Sequence, residues 1–173
     1  MAASPWFKYE RRRQILLRYG ILLFRNYPFS ESLFRSHFTS DRVSTSQFVE
    51  IARKSLEICN KYNVPLLIND RLDIALAVGA HGVHLGQTDM PVHIARRLLP
   101  PNAIIGKTCN NVEHVTQAVE EGVDYVGLGP VWGTKTKDVT APLTGPRGIG
   151  VMLDALEGSE VKAVAIGEFY QWP

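Results

Sequence analysis

An α/β fold built on a parallel sheet is predicted by three observations. From about residue 41 onward, short apolar runs alternate with amphipathic stretches of helical period. The apolar runs are nearly continuous, the pattern of strands covered on both faces. A weak internal repeat links them: Gly79-Ala80-His81-Gly82-Val83-His84-Leu85-Gly86 and Gly122-Val123-Asp124-Tyr125-Val126-Gly127-Leu128-Gly129 share Gly-apolar-polar-x-Val-x-Leu-Gly, 43 residues apart. That spacing is about two βα units, and recurrence at every second unit favours a (β/α)8 TIM barrel, where alternate strands fill equivalent layers. Such a barrel typically needs about 250 residues and seldom under roughly 200. With 173 residues and five legible strands after residue 41, this barrel is expected to be incomplete.

Residues 44–59 read as an amphipathic helix, with Phe48, Ile51, Ala52, Ser55, Leu56 and Cys59 on one face. Ser44, with Gln47 three residues on, has the pattern of a capping box. Asn63 and Pro65 break this helix, and the apolar run over residues 64–68 ends in polar Asn69-Asp70. A second helix over residues 72–78 stops at Gly79, and residues 82–86 form the next strand. Residues 91–99 are helical, with Pro91 suited to a first turn. A strand at 103–106, a helix at 112–121 closed by Gly122 and a strand at 124–129 follow. After a long polar loop come a helix near residues 149–156 and a strand at 161–166.

Composition narrows the class. The chain is 45% hydrophobic and 21% charged, ordinary for one soluble globular domain. Cys59 and Cys109 lie far apart without CxxC or Cys/His spacing. That argues against a disulfide scaffold or a zinc module and fits a reducing, cytoplasmic compartment. No apolar run reaches the roughly 18 residues that span a bilayer, so no membrane partner is expected.

The net charge of +2 hides an asymmetry: residues 1–40 carry +5, from Lys8 and six arginines against Glu10 and Glu31, and the remainder carries −3. This Arg-rich, Ser-containing segment reads as a mitochondrial transit peptide, as a nucleic-acid surface, or as a segment outside the domain's pattern. The last is adopted, with no nucleic-acid partner, a core over residues 41–167 and a tail over 168–173. Residues 21–24 are apolar enough for a strand, but nothing nearby gives them a partner.

Chemistry concentrates just after the strands. Asn69-Asp70 follows the first, Gln87-Thr88-Asp89 the second, Lys107-Thr108 the third and Thr134-Lys135-Thr136-Lys137 the fourth. In a parallel barrel these points converge on the C-terminal rim, where active sites form. Two carboxylates, several hydroxyls, an amide and lysines together suit a phosphorylated ligand with a divalent cation. Mg²⁺ prefers a few carboxylate oxygens plus phosphate oxygens and water, and it screens phosphate charge as it departs.

Each residue also has a plainer reading. Asp89, before Met90-Pro91, taken alone is a helix N-cap. Asp70 pairs with Arg71 or caps the next helix. Residues 134–137 are a solvated loop, and Lys107 is a surface lysine. His84 is a hydrogen-bonded wall residue rather than a base. Gly127 and Gly129 form a lone GxG, which does not indicate a nucleotide. The functional reading rests on four loops being polar together.

At these residues the sequence resembles the thiamine phosphate synthase family. The matching motifs are Leu67-Ile68-Asn69-Asp70-Arg71, Gly82-Val83-His84-Leu85-Gly86-Gln87-Thr88-Asp89-Met90, Tyr125-Val126-Gly127-Leu128-Gly129-Pro130-Val131 and Thr134-Lys135-Thr136-Lys137, with nineteen residues from Asp70 to Asp89. The resemblance covers about residues 48–167 and is nearest to the synthase half of the fungal bifunctional enzyme. It implies a TIM barrel that joins a hydroxymethylpyrimidine diphosphate to a thiazole phosphate and releases pyrophosphate. In the family a stabilised pyrimidine-methyl cation is captured by the thiazole nitrogen. By position, Asp70 and Asp89 would hold Mg²⁺. Asn69, Thr108 and Lys137 would contact the diphosphate, Asn69 and Lys137 as the catalytic contacts, and Thr134 and Thr136 would bind the thiazole phosphate.

The resemblance departs at both ends. Where the family carries Gln-Tyr-Arg-x-Lys, the Arg and Lys positions hold Ser36 and Phe38, with Arg35 one residue out of register; a one-residue shift turns a strand side chain to the other face. Where the family continues into a second phosphate-binding Gly, Gly167 is followed by Glu168. These breaks imply missing first strands and a missing last strand, with both ends foreign to a genuine enzyme core through an altered gene model. Open parallel edges invite pairing, so a homo-oligomer is among the expected partners. Besides the synthase, two readings stay open: an inactive truncated isoform and a thiazole tautomerase-like relative, which has no need of two metal carboxylates.

Overall fold

The computed structural model describes residues 15–18, 21–24, 44–131 and 144–166, the first two segments as backbone. Five strands form a parallel sheet: β3 (Leu66–Asn69), β4 (Gly82–Leu85), β5 (Ile104–Cys109), β6 (Tyr125–Leu128) and β7 (Lys162–Ala165). All five are the strands that the apolar runs predict. Each pairs in parallel with the next along the chain. Helix α1 (Thr45–Lys61) precedes β3, and between the strands lie α2 (Leu72–Val78), α3 (Val92–Leu98), α4 (Val112–Glu120) and α5 (Gly145–Asp154). Among the described residues no helix is long and apolar enough to cross a membrane.

Two elements correct the sequence reading. The run at residues 21–24 does have partners. It is β2 (Ile21–Phe24), antiparallel both to β1 (Ile15–Arg18) and to β3. Arg18 pairs with Ile21, so two residues separate the strands, the length of the commonest hairpin connection. Part of the basic segment therefore belongs to the sheet. β1 and β7 are its two edges among the described residues, and the sheet is not closed. The second correction is α5, which starts at Gly145 rather than near residue 149. Its first turn, Gly145-Pro146-Arg147-Gly148, has no large apolar residue to carry a helical period, yet Pro146 is at home there.

The helices bury one face of the sheet. Leu66, Ile68, Val83, Leu85, Ile105, Val126 and Leu128 pack with Phe48, Ala52, Ile74, Ala95, Val115 and Met152 in one core. α1 buries the face its spacing predicts and starts in the predicted capping box: Gln47 N–H donates to Ser44 Oγ (3.3 Å), and Ser44 N–H donates to Gln47 Oε1 (2.9 Å). Cys59 and Cys109 are free and buried in this core, and burial pushes their thiols up to about 11 and about 12, which leaves them protonated and inert. The opposite face carries a smaller cluster, Leu67 and Tyr125 with Ile104 and Val164.

The 43-residue repeat is a structural one. Gly79 and Gly122 follow α2 and α4 in the left-handed region, at φ +69° and +71°, which suits glycine at a helix end. Two residues on, His81 and Asp124 each make the same pair of bonds. His81 N–H donates to Leu66 O (3.0 Å), and His81 Nδ1 accepts from Leu66 N–H (3.0 Å). Asp124 N–H donates to Ile105 O (2.8 Å), and Asp124 Oδ2 accepts from Ile105 N–H (2.7 Å). The polar position of the repeat thus clamps the start of the preceding strand. Arg96 reinforces the second clamp through Asp124 (3.0 Å) and Ala103 O (2.7 Å).

Asp124→Ala removes the acceptor for Ile105 N–H and the carboxylate partner of Arg96. It is expected to lower stability by about 1–2 kcal/mol in urea unfolding with an unchanged slope; stability equal to the wild type would contradict the clamp.

Candidate active site

The C-terminal ends of β3, β4 and β5 lie side by side and bring most of the predicted polar residues together. Asn69 is 5% exposed, sits on the face away from the helices and pairs in register with His84. Asp70 follows at φ +63°. Arg71 N–H closes on Asn69 O at 2.7 Å, so Asp70 centres a three-residue turn of left-handed sign, a rare and strained conformation. Asp70 N–H donates to His84 O (2.9 Å), which fixes this turn to the end of β4. Strain of this kind, held by its surroundings, clusters at functional sites.

The helix-cap readings of both aspartates do not hold. The Arg71 guanidinium goes to Asp73 (2.6 Å), whose carboxyl it holds below the usual range, and Arg71 itself is the N-cap of α2. The N-cap of α3 is Pro91, whereas Asp89 Oδ2 accepts from Gly86 N–H at 2.7 Å. Asp89 is thereby folded back toward the end of β4. Asp70 and Asp89 are both half-buried.

β5 runs two residues past Lys107, so Lys107 and Thr108 lie in the strand and point to opposite faces. Lys107 faces the helices. It is 6% exposed and paired with Glu121 at 2.6 Å, which overturns its reading as a surface lysine. Gln117 Nε2 also donates to Glu121 (2.9 Å). Lys107 is therefore a buried structural cation turned away from the site. Thr108 lies on the site face, half-buried, and Gln87 Nε2 holds its backbone oxygen at 2.5 Å.

His84 is the wall residue the sequence suggests. It is 3% exposed, with Nδ1 2.8 Å from Tyr125 Oη and Nε2 2.8 Å from Thr108 Oγ1. Pairing in register places His84 beside Gly106 and Gly106 beside Tyr125. A Cβ on Gly106 would lie 2.0 Å from Tyr125 Cζ, so the phenol crosses the glycine to reach the imidazole. Gly127 likewise makes room for the ring, its Cβ falling 3.2 Å from His84 Cε1. The GxG at 127–129 is thus a packing device. Burial pushes the Tyr125 phenol far above its ordinary range, so it keeps its proton.

Tyr125 and Asn110 escape the sequence reading. Tyr125 sits in an apolar run and looks like core, although the lone glycine inside the neighbouring strand signals a close approach. Asn110 Nδ2 donates to Gly129 O (2.8 Å) and ties the end of β5 to that of β6. Thr134, Thr136 and Lys137 lie outside the described residues. Two hollows, of about 260 and 450 Å³, lie at the other end of the strands around His81. Neither is lined by a carboxylate or a basic amine.

A sequence model of thiamine monophosphate synthase matches residues 30–170. The chain belongs to the thiamine monophosphate synthase family. Among curated relatives, the probable thiamine biosynthetic bifunctional enzyme of Schizosaccharomyces pombe is 52% identical over 112 residues, covering 65% of this chain and 22% of that protein. The thiamine-phosphate synthase of Clostridium novyi is 48% identical over 126 residues, covering 72% of this chain and 60% of that protein. The chain thus spans less than two thirds of the length of either relative. The solved thiamine phosphate pyrophosphorylase of Pyrococcus furiosus superposes with TM-score 0.64 and 33% identity over 74% of this chain and 59% of that one. The thiamine monophosphate synthase family is the one that the motifs around Asn69, Asp89 and Gly129 resemble.

Gly106→Ala sets a methyl group against the Tyr125 ring within β5. Overpacking of this kind is expected to cost at least about 2 kcal/mol by denaturant unfolding, with altered near-ultraviolet dichroism of the tyrosines; an unperturbed spectrum and midpoint would refute the crossing.

Proposed function

We propose that this chain catalyses the diphosphate-displacing step of thiamine phosphate synthesis. In that reaction the bond from the pyrimidine methylene carbon to the diphosphate oxygen breaks. A new bond forms between that carbon and the thiazole nitrogen, and pyrophosphate leaves. The observation that carries the proposal is the placement of Asn69, Asp70, Asp89 and Thr108 on one edge of three adjacent parallel strands.

The donor set fits a hard divalent cation. Both aspartates sit at the end of β4, Asp70 joined to it by its backbone bond to His84 and Asp89 by its carboxylate on Gly86 N–H. Among the described residues no third His, Cys, Asp or Glu joins them in a metal-binding group. Mg²⁺ asks for that arrangement, since it takes one or two carboxylates and fills its other positions with water and substrate phosphate. Asp70 and Asp89 would hold it, and when bound it supplies positive charge against the departing diphosphate. The Asn69 amide and the Thr108 hydroxyl would donate to diphosphate oxygens, and Lys137 would bring a cation. Thr134 and Thr136 would take the thiazole phosphate.

The (β/α)8 barrel belongs to the same proposal. Its support is the strand order: β3 to β7 add one after another on the same side, without the reversal that defines a doubly wound sheet.

Purified chain, given the pyrimidine diphosphate and thiazole phosphate, is expected to form thiamine phosphate only with Mg²⁺. Asp70→Asn keeps a residue that tolerates left-handed backbone and should lower kcat/KM by about a hundredfold or more. Product formation that is indifferent to Mg²⁺, or equal in Asp70→Asn, would refute the metal assignment. No product from folded wild type would refute the activity.

A further inference from the structure

We infer that Tyr125 is a positioning residue: through His84 it fixes the direction of the Thr108 hydroxyl proton, so that this proton is presented to a phosphate oxygen. The inference deepens the proposed function and rests on it for the identity of the anion. The hydrogen-bond chain itself is independent of that reading.

Tyr125, His84 and Thr108 form a continuous line, with both links at 2.8 Å. In its neutral form the His84 imidazole has one N–H and one bare nitrogen, and the line then runs in one of two directions. In the first, Tyr125 O–H donates to Nδ1 and Nε2–H donates to Thr108 Oγ1. The threonine then keeps its own proton for a third partner. In the second, Nδ1–H donates to Tyr125 and Thr108 spends its proton on Nε2. The half-buried end of the line would then offer only lone pairs, which repel an anion.

The chemistry of the two hydroxyls selects the first direction. A phenol is a stronger acid than an aliphatic alcohol and therefore a better donor, while its oxygen lone pairs, delocalised into the ring, accept less well. The imidazole accordingly takes the phenol's proton in a hydrogen bond and gives its own N–H to threonine. Burial keeps the Tyr125 proton in place by raising its pKa. Gly106 is the structural condition, since any side chain there would hold the phenol away from the ring. Gln87 holds the Thr108 carbonyl oxygen, so both the backbone and the hydroxyl of Thr108 are oriented before a ligand arrives.

The test begins with the histidine tautomer in ¹⁵N-labelled full-length protein. Long-range proton–nitrogen correlation of the His84 ring, assigned by its loss in His84→Gln, should show Nε2 protonated and Nδ1 bare. The reverse pattern would overturn the inference by itself, without reference to any ligand. The second measurement is calorimetric affinity for inorganic pyrophosphate in the presence of Mg²⁺. Tyr125→Phe should bind about tenfold more weakly than wild type. It should cause no further loss in a Thr108→Val background, and Thr108→Ser should restore most of the binding lost in Thr108→Val. Unchanged affinity in Tyr125→Phe, or an equal loss with and without Thr108, would also overturn it. If wild type shows the Nε2–H tautomer yet does not bind pyrophosphate, the direction of the chain stands and the diphosphate reading falls.

Discussion

The site depends on a missing side chain. His84, Gly106 and Tyr125 occupy one cross-strand row, and the row works because its middle member has no Cβ. The phenol lies over the glycine and meets the imidazole, and the imidazole in turn reaches Thr108 on the next row up. A polar pair in a sheet interior costs stability unless each polar atom is matched. Here the match is made between the two buried rings and carried outward to a half-buried hydroxyl. The cross-strand registers of β4, β5 and β6 are therefore bound to the chemistry, because a slip of one residue would turn His84 and Tyr125 toward the helices.

The two ends of the strands have different duties. At the N-terminal ends, His81 and Asp124 clamp the first residues of β3 and β5, with Arg96 bracing the second clamp. These contacts satisfy backbone groups at the start of each strand. The C-terminal ends carry the half-buried polar residues: Asp70 in its strained turn, Asp89 with its carboxylate folded back on Gly86, and Thr108. The same 43-residue unit thus holds a hydrogen-bonded base and a polar rim, a division that parallel βα architecture makes available.

Much of this was legible in the residues. Near-continuous apolar runs located all five parallel strands, and α2 ended at Gly79 as its sequence required. The repeat identified the polar position before the strand but not its partner, because a clamp on a strand fifteen or nineteen residues earlier is a tertiary fact. Lys107 misled for a related reason: an isolated lysine near a strand end reads as solvated, and only the length of β5 turns it onto Glu121. The hairpin of β1 and β2 was half visible: residues 21–24 read as a strand, but of their two partners β1 was not read as a strand and β3 lies over forty residues away. Tyr125 was hidden because an aromatic within an apolar run carries no sign of which face it serves.

The central claim is that the rim formed by β3, β4 and β5, and not the opposite end of the sheet, is where a diphosphate binds. Amide chemical-shift mapping of the full chain with Mg²⁺ and inorganic pyrophosphate tests it most directly. The account predicts shifts concentrated at Asn69, Asp70, Gly86, Asp89, Thr108 and Asn110. Shifts clustered instead around Asn63, His81 and Asn102, at the N-terminal ends of the strands, would contradict it.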